Sequence, residues 1–255
     1  MSGIVEEILD FVYKEIPLEN INVVDARIGA VYSGVTLSNG YAGIAWIVRE
    51  KLHIHPVDRA GFLTKINIKK ELKRFIFSEN PFERSFGFSI LNALVISTLK
   101  GDVRTGDALD AISIRDGDTI TLIGAIGPFI KELSTRPVNI NLFERGEVKE
   151  EFRKFLRLEE DLKKVLLETD ILILTGVTLE NFSIDDIVSL PTRARERIIS
   201  GPSTPMIGEV FKKRGFTLVA GVRIVDPKMM IKVVGEGGGT KAIIKNSAEK
   251  VFLRL

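Results

Sequence analysis

The chain has no cysteine, no glutamine, a single tryptophan and only two histidines. Without cysteine there are no disulfides, no thiolate nucleophile and no thiolate-based zinc or iron–sulfur site. The scarcity of histidine leaves little imidazole for metal ligation or general base chemistry. Long apolar runs are missing too: the longest, such as residues 119–126, fall far short of the roughly 18 residues of a membrane span. The opening MSGIVEEILDF carries acids where an export signal carries a basic stretch, so a cytoplasmic protein is expected. An excess of one charge is also lacking. With 36 basic and 34 acidic residues the net charge is +2, and the short basic pieces at 69–73 and 212–214 give no footprint for nucleic acid. The mixed run at 144–164 reads as a solvated helical face. Absent cysteine and glutamine beside abundant Lys, Glu and Arg give a thermophile-like composition.

What remains is ordinary globular chemistry: 255 residues, 45% hydrophobic and 27% charged, with a mean hydropathy of +0.16. That length suits one or two domains. Ile4, Ile8, Leu9, Val12 and Ile16 recur at helical spacing, and Pro17 ends that helix. Residues 22–48 are rich in Val, Ile, Gly and Tyr, with Asn39-Gly40 as a hairpin signal. Strands are expected near 22–32, 34–38 and 43–48. Helices follow at 69–77 and 82–99, the second apolar nearly all round and therefore buried. From residue 107 five short apolar runs, at 119–124, 138–143, 170–175, 197–200 and 217–220, alternate with helical segments at 129–133, 158–168, 184–190 and 206–214. That rhythm is the signature of a doubly wound parallel α/β sheet. The expected division is therefore an α+β domain over 1–103 and an α/β domain over 104–255.

Ligands of open α/β sheets bind beyond the carboxyl ends of the strands, so five loops become candidates. The first contains Gly124, Gly127, Pro128 and Phe129, where glycines permit close backbone approach and Pro128 suits a first helical turn. A plain strand-to-helix turn would use the same residues. The second strand ends at Glu144, twenty residues after Gly124, an offset at which an acid can bind a ribose. The third loop offers the uncharged polar groups of Thr175, Thr178 and Asn181, which also serve as helix caps. In the fourth, Gly201, Pro202, Ser203 and Thr204 form a proline-fixed turn with two hydroxyls aimed at a ligand. The fifth contains Gly221. Near the end, Gly238 sits in a triple glycine beside Lys241, a pattern that can form an anion-binding nest or a flexible turn. Asn92, inside the apolar helix, needs a partner in the core or in a cleft. His53 and His55 share a strand face and, with Asp58, are the metal candidates, although a surface pair without metal is the favoured reading.

The pieces Leu91-Asn92-Ala93-Leu94, residues 124–129, Phe143-Glu144-Arg145, residues 175–181, 201–205 and 220–226 together resemble, in order and spacing, an uncharacterised family described as "putative heavy-metal chelation". The resemblance implies an enolase N-terminal-like domain followed by a Rossmann-like domain, with a metal or metal-chelating small molecule handled in the interdomain cleft. It implies no enolase chemistry, which needs clustered carboxylates. A chain without cysteine cannot hold a soft metal by thiolates, so metal would arrive on an organic chelate or bind to oxygen. The leading expectation is a small-molecule-binding protein, with a metal ion, a metal chelate, or a nucleotide-like or pterin-like anion as ligand. Homo-oligomers are allowed; nucleic acid and membrane are not expected partners. The alternative is an S-adenosylmethionine- or dinucleotide-dependent enzyme. Glu180, Asp226 and Lys241 could serve it, but none has a recognisable catalytic partner.

Overall fold

The computed structural model describes residues 3–48, 56–99 and 103–255. Helix α1 (Ile4–Glu15) buries the stripe Ile4, Val5, Ile8, Leu9 and Val12, as its periodicity requires. A three-stranded antiparallel meander follows: β1 (Val23–Ile28), β2 (Tyr32–Leu37) and β3 (Ala42–Trp46). Asn39-Gly40 makes the β2–β3 turn, with Gly40 at φ +86°. Asn67 caps α2 (Ile68–Ile76) and Asn80 caps α3 (Pro81–Ile96), each accepting a backbone N–H within the first turn. Helix α3 is buried almost throughout because α2 covers one side and the meander the other. Contact is closest at Gly43, where a Cβ would stand 2.3 Å from the Ser89 carbonyl oxygen.

The remaining strands form one seven-stranded sheet, in the order β4-β10-β9-β8-β7-β5-β6. They are β4 (Arg104–Thr105), β5 (Thr119–Ile123), β6 (Asn139–Phe143), β7 (Ile171–Thr175), β8 (Glu196–Ser200), β9 (Leu218–Ile224) and β10 (Ala248–Arg254). Strands β5 to β9 are mutually parallel, and β10 and β4 complete one edge antiparallel. Counted along the chain, the parallel strands stand in the order 2-1-3-4-5, so the winding reverses at β5 and β7. Dinucleotide-binding sheets have the order 3-2-1-4-5-6, which this is not. The connecting helices are α4 (Gly127–Leu133), α5 (Leu162–Glu168), α6 (Val177–Glu180), α7 (Ile184–Ser189) and α8 (Gly208–Lys213); α9 (Pro227–Gly235) and α10 (Thr240–Asn246) precede β10.

Four of the five expected parallel strands stand within one residue of their apolar runs, and the fifth, expected at 217–220, continues four residues further, to Ile224. Strands β4 and β10 and helices α9 and α10 were not expected. In β10 only Ala248 and Val251 are fully buried, too weak an alternation to read, and α9 was masked by the glycines that follow it.

The core joins the two parts. One apolar cluster runs from α1, α2 and α3 into the sheet face formed by Ile123, Leu172, Leu174, Ile199 and Val219. A second covers the opposite face, around Ile120, Leu122, Ile173, Ile198 and Leu218. The third packs Tyr32, Ala42 and Ile44 of the meander against Met230, Ile231, Val233 and Val234 of α9 and Ile243 of α10. The small sheet is thus covered on one face by the helices before the large sheet and on the other by helices near the chain's end. No described helix is long and apolar enough to cross a membrane.

Replacing Gly43 by alanine should lower stability by at least about 2 kcal/mol, because the methyl group meets backbone atoms that cannot step aside. Urea denaturation of the variant checks this. Gly40→Ala, with open space around it but an unfavourable φ, should lose only about 1–2 kcal/mol.

Candidate functional site

A cleft of about 2160 Å³ opens at the carboxyl ends of β5 to β9. The order of the parallel strands reverses there, so loops from neighbouring strands diverge and leave a crevice. The first loop starts at Gly124 (φ +97°), where a Cβ would lie 2.3 Å from the Thr175 Cγ2. Glycine is needed because the ends of β5 and β7 approach so closely. Gly127, Pro128 and Phe129 follow as the first turn of α4 and line the cleft.

Glu144 also lines the cleft, but its carboxylate is engaged. It accepts the Ala125 N–H at 2.7 Å and the Gly146 N–H at 2.8 Å, one on each oxygen. The acid thereby ties the loop after β5 to the loop after β6.

Thr175, Thr178 and Asn181 all line the cleft. The Thr178 hydroxyl donates to the Thr175 carbonyl at 2.7 Å and closes the short turn of α6. Asn181 Oδ1 accepts the Ser183 N–H at 3.1 Å and hydroxyl at 2.8 Å, shaping the entry to α7. Gly176 lets this loop lie against the next, since a Cβ would stand 2.6 Å from the Thr204 Oγ1.

The fourth loop is only partly as expected. Gly201 (φ +132°), Pro202 and Ser203 line the cleft. Ser203 is 2% exposed, and its hydroxyl oxygen accepts the Trp46 N–H of β3 at 2.7 Å. Thr204 lies behind the wall: its N–H donates to the Gly201 carbonyl at 3.0 Å, so it is not offered to a ligand. Gly221 is inside β9 rather than in a loop, paired with Val251 and floored by Met206.

Three further candidates remain to be placed. Asn92 does not reach the cleft; its amide donates to the Ile44 carbonyl at 2.7 Å, within the fold of β3 on α3. Gly238 belongs to the α9–α10 connection and presses on Val233, so the glycine triplet is not a nest facing the cleft. Asp58 has its backbone N–H on Glu83 Oε1 at 2.8 Å and an exposed carboxylate 3.6 Å from the Arg74 guanidinium. His53 and His55 lie outside the described residues. Among the described residues no three or more acids gather as a metal site.

Sequence reasoning missed the opposite wall. Tyr32 and Trp46 line the cleft from the small sheet, their rings 5.2 Å apart and nearly perpendicular. The Tyr32 hydroxyl shares a 2.6 Å hydrogen bond with Thr240, and burial pushes its pKa up to about 12. Lys241 and Lys245 add positive charge along α10, while Lys250 of β10 is paired with Asp107, which also lines the cleft. One signal was available: the only tryptophan of the chain, placed at a strand end, is an unusual surface to leave unexplained. Behind Trp46 and Ser203 lies Glu180, 1% exposed, whose carboxyl is pushed up to about 8 by burial, against the lowering effect of hydrogen bonds from Ser203 and the Trp46 amide and of the Arg84 charge.

Because Glu144 bridges two loops, Glu144→Ala should destabilise the protein by about 1–3 kcal/mol through the loss of two charge-assisted bonds. Thermal denaturation without any added ligand reads this. Unchanged stability would mean the carboxylate is free for a ligand after all.

Residues 107–253 match a family whose description is "Putative heavy-metal chelation", and residues 13–95 match a second family of the same description. An uncharacterized protein of Methanocaldococcus jannaschii is 27% identical over 223 residues, which cover 82% of this chain and 81% of that protein. Among solved structures, a protein of unknown function from the first family in Pyrococcus horikoshii has a TM-score of 0.83 at 19% identity, over 99% of this chain and 100% of that one. A second such protein, from Desulfitobacterium hafniense, has a TM-score of 0.78 at 17% identity, over 98% of this chain and 99% of that one. These likenesses extend the shared mixed α/β fold over nearly the whole chain. The first family alone spans more than half of the sequence, and the chain belongs to this "putative heavy-metal chelation" family.

Proposed function

We propose that this protein binds a small molecule in the cleft between the small sheet and the carboxyl ends of the parallel strands. The observation that carries the reading is the cleft itself, of about 2160 Å³, with walls drawn from loops after β5 to β8, from Tyr32 and Trp46, and from α10. Binding sites of open α/β sheets are expected at this reversal of strand order.

The lining suggests what such a ligand looks like. Trp46, Ile123, Phe143, Ile187 and Leu190 suit a flat or apolar body, while Lys241 and Lys245 suit an anionic end. A nucleotide-like or pterin-like chelator has both features. A bare soft metal ion does not fit the described residues: there is no thiol, and the lining carboxylates of Asp107, Glu144, Glu147, Glu159 and Asp186 offer hard oxygens that do not gather as a metal site. Metal would enter here on the ligand's own donors. A S-adenosylmethionine- or dinucleotide-dependent reaction has no observation in its favour, because the acid on which it rested holds backbone.

Native mass spectrometry of freshly purified protein, beside a denatured control, tests the reading. An organic mass that is released on denaturation is the expected result, with or without an accompanying metal. A bare-metal mass alone would overturn it and direct attention to His53 and His55. The released molecule should shift the emission of Trp46, the sole fluorophore of its kind. Lys241→Ala with Lys245→Ala should weaken its binding about tenfold, equivalent to roughly 1.4 kcal/mol.

A further inference from the structure

The junction between the small sheet and the cleft loops contains a buried acid that no other feature of the fold requires. Glu180, at the end of α6, is 1% exposed, and its Oε1 has no hydrogen-bond partner among the described residues. Its neighbours are the Ser203 hydroxyl and the Trp46 amide. These two are themselves joined, since the Trp46 N–H donates to Ser203 Oγ at 2.7 Å. Trp46 and Ser203 both line the cleft.

We propose that Glu180 is a proton-binding site coupled to the cleft: neutral, it holds the loop of Ser203 against β3; ionised, it loosens that wall. The physical argument is one of donors. A buried carboxylate needs several hydrogen bonds or a close cation to replace its lost hydration. Here one oxygen has none. The neutral carboxyl tolerates that arrangement; the charged form does not, and it recovers hydration only if the loop of Ser203 parts from β3 and admits water. Burial accordingly raises the Glu180 pKa to about 8, within reach of physiological change.

Charges around this group do not remove the strain. From α3, Arg84 faces it, but its guanidinium donates to the Glu180 backbone carbonyl at 3.0 Å and lies over the Phe182 ring. Glu79, just before α3, acts on Arg84 in turn. From β2, Tyr32 adds a phenol that stays neutral far above pH 8. The loop of Ser203 and strand β3 supply only neutral groups: Ser203 and the Trp46 amide.

The sign follows from linkage. The folded acid holds its proton above the value of about 4.3 for an exposed glutamate. Stability relative to a Glu180→Gln variant is therefore highest in acid. It falls as the pH rises toward about 8 and is level beyond that.

The test follows Trp46 emission and amide exchange at Gly201, Ser203 and Thr204 from pH 6 to 9.5 in the full chain, with exchange corrected for base catalysis. Wild type should show a transition near pH 8, with faster corrected exchange above it, and Glu180→Gln should show neither. The comparison also separates Glu180 from His53 and His55, which are unchanged in the variant. Ser203→Ala retains the acid but removes a donor to its charged form, so its transition should move to higher pH. The same transition in wild type and Glu180→Gln, its absence in wild type, or a Ser203→Ala transition that stays in place or moves down would overturn the proposal. If Glu180→Gln does not fold, the direction of the Ser203→Ala shift decides.

Discussion

The open edge of β3 is the constraint on which the arrangement of the cleft depends. The meander ends there, so the N–H and C=O groups on that side of β3 have no strand to meet. Buried backbone groups cannot be left unpaired. Side chains supply what a fourth strand would have supplied: Asn92 from α3 donates to the Ile44 carbonyl, and Ser203 from the loop after β8 accepts the Trp46 N–H. The second bond crosses from the small sheet to the large one. It fixes Trp46 at the cleft wall, sets how near the loop of residues 201–205 can approach, and brings Glu180 against both. A single edge-sealing requirement therefore sets the width of the cleft and buries its acid.

The two ends of the parallel sheet are stabilised by different means. At the amino ends of the strands, charge pairs dominate. Asp118 accepts two bonds from Arg195, at 2.9 and 2.5 Å, and one from the Arg115 N–H at 2.7 Å, and Glu196 is bonded by both terminal nitrogens of Arg254. Burial would raise the Asp118 pKa, yet its hydrogen bonds from Arg195 and Arg115 keep it below the usual carboxylate value. At the carboxyl ends the chain uses glycines, hydroxyls and turn-forming side chains instead. A floor tied by partly buried ion pairs allows the opposite end to be open, since the strands remain in register without help from the loops.

Much of this fold was legible because its signals are local. The alternation of apolar runs with helical segments reports β5 to β9 directly, Asn39-Gly40 reports the hairpin, and the all-round apolar character of α3 reports its burial between α2 and the meander. The candidate loops were legible for a similar reason: in a parallel sheet, the carboxyl end of every strand faces the same side. What was not legible is where each polar side chain points. Glu144, Ser203 and Asn92 are each of a type that can meet a ligand or meet backbone, and the choice is made by groups 19, 157 and 48 residues away. Tyr32 and Trp46 escaped attention because they come from the small sheet, whose placement over the cleft depends on α9 and α10, two helices that the glycine-rich stretch obscured.

The family's description and the donor chemistry of this chain constrain each other. Heavy metals that prefer sulfur need thiolate or thioether ligands, and this chain has no cysteine and a cleft without methionine. Five acids (Asp107, Glu144, Glu147, Glu159 and Asp186) and five bases (Arg145, Arg157, Lys241, Lys245 and Lys250) line it, and along α10 the charge, from Lys241 and Lys245, is positive. Positive charge repels a bare cation and attracts an anion. If metal passes through this protein, the groups around the cleft favour its arrival within an anionic complex whose organic part supplies the donors and meets Trp46. On the function proposed here, the organic part of the chelate is what the cleft would recognise. Selectivity would then reside in the shape and charge of the organic partner, which is what an apolar wall facing two lysines is suited to read.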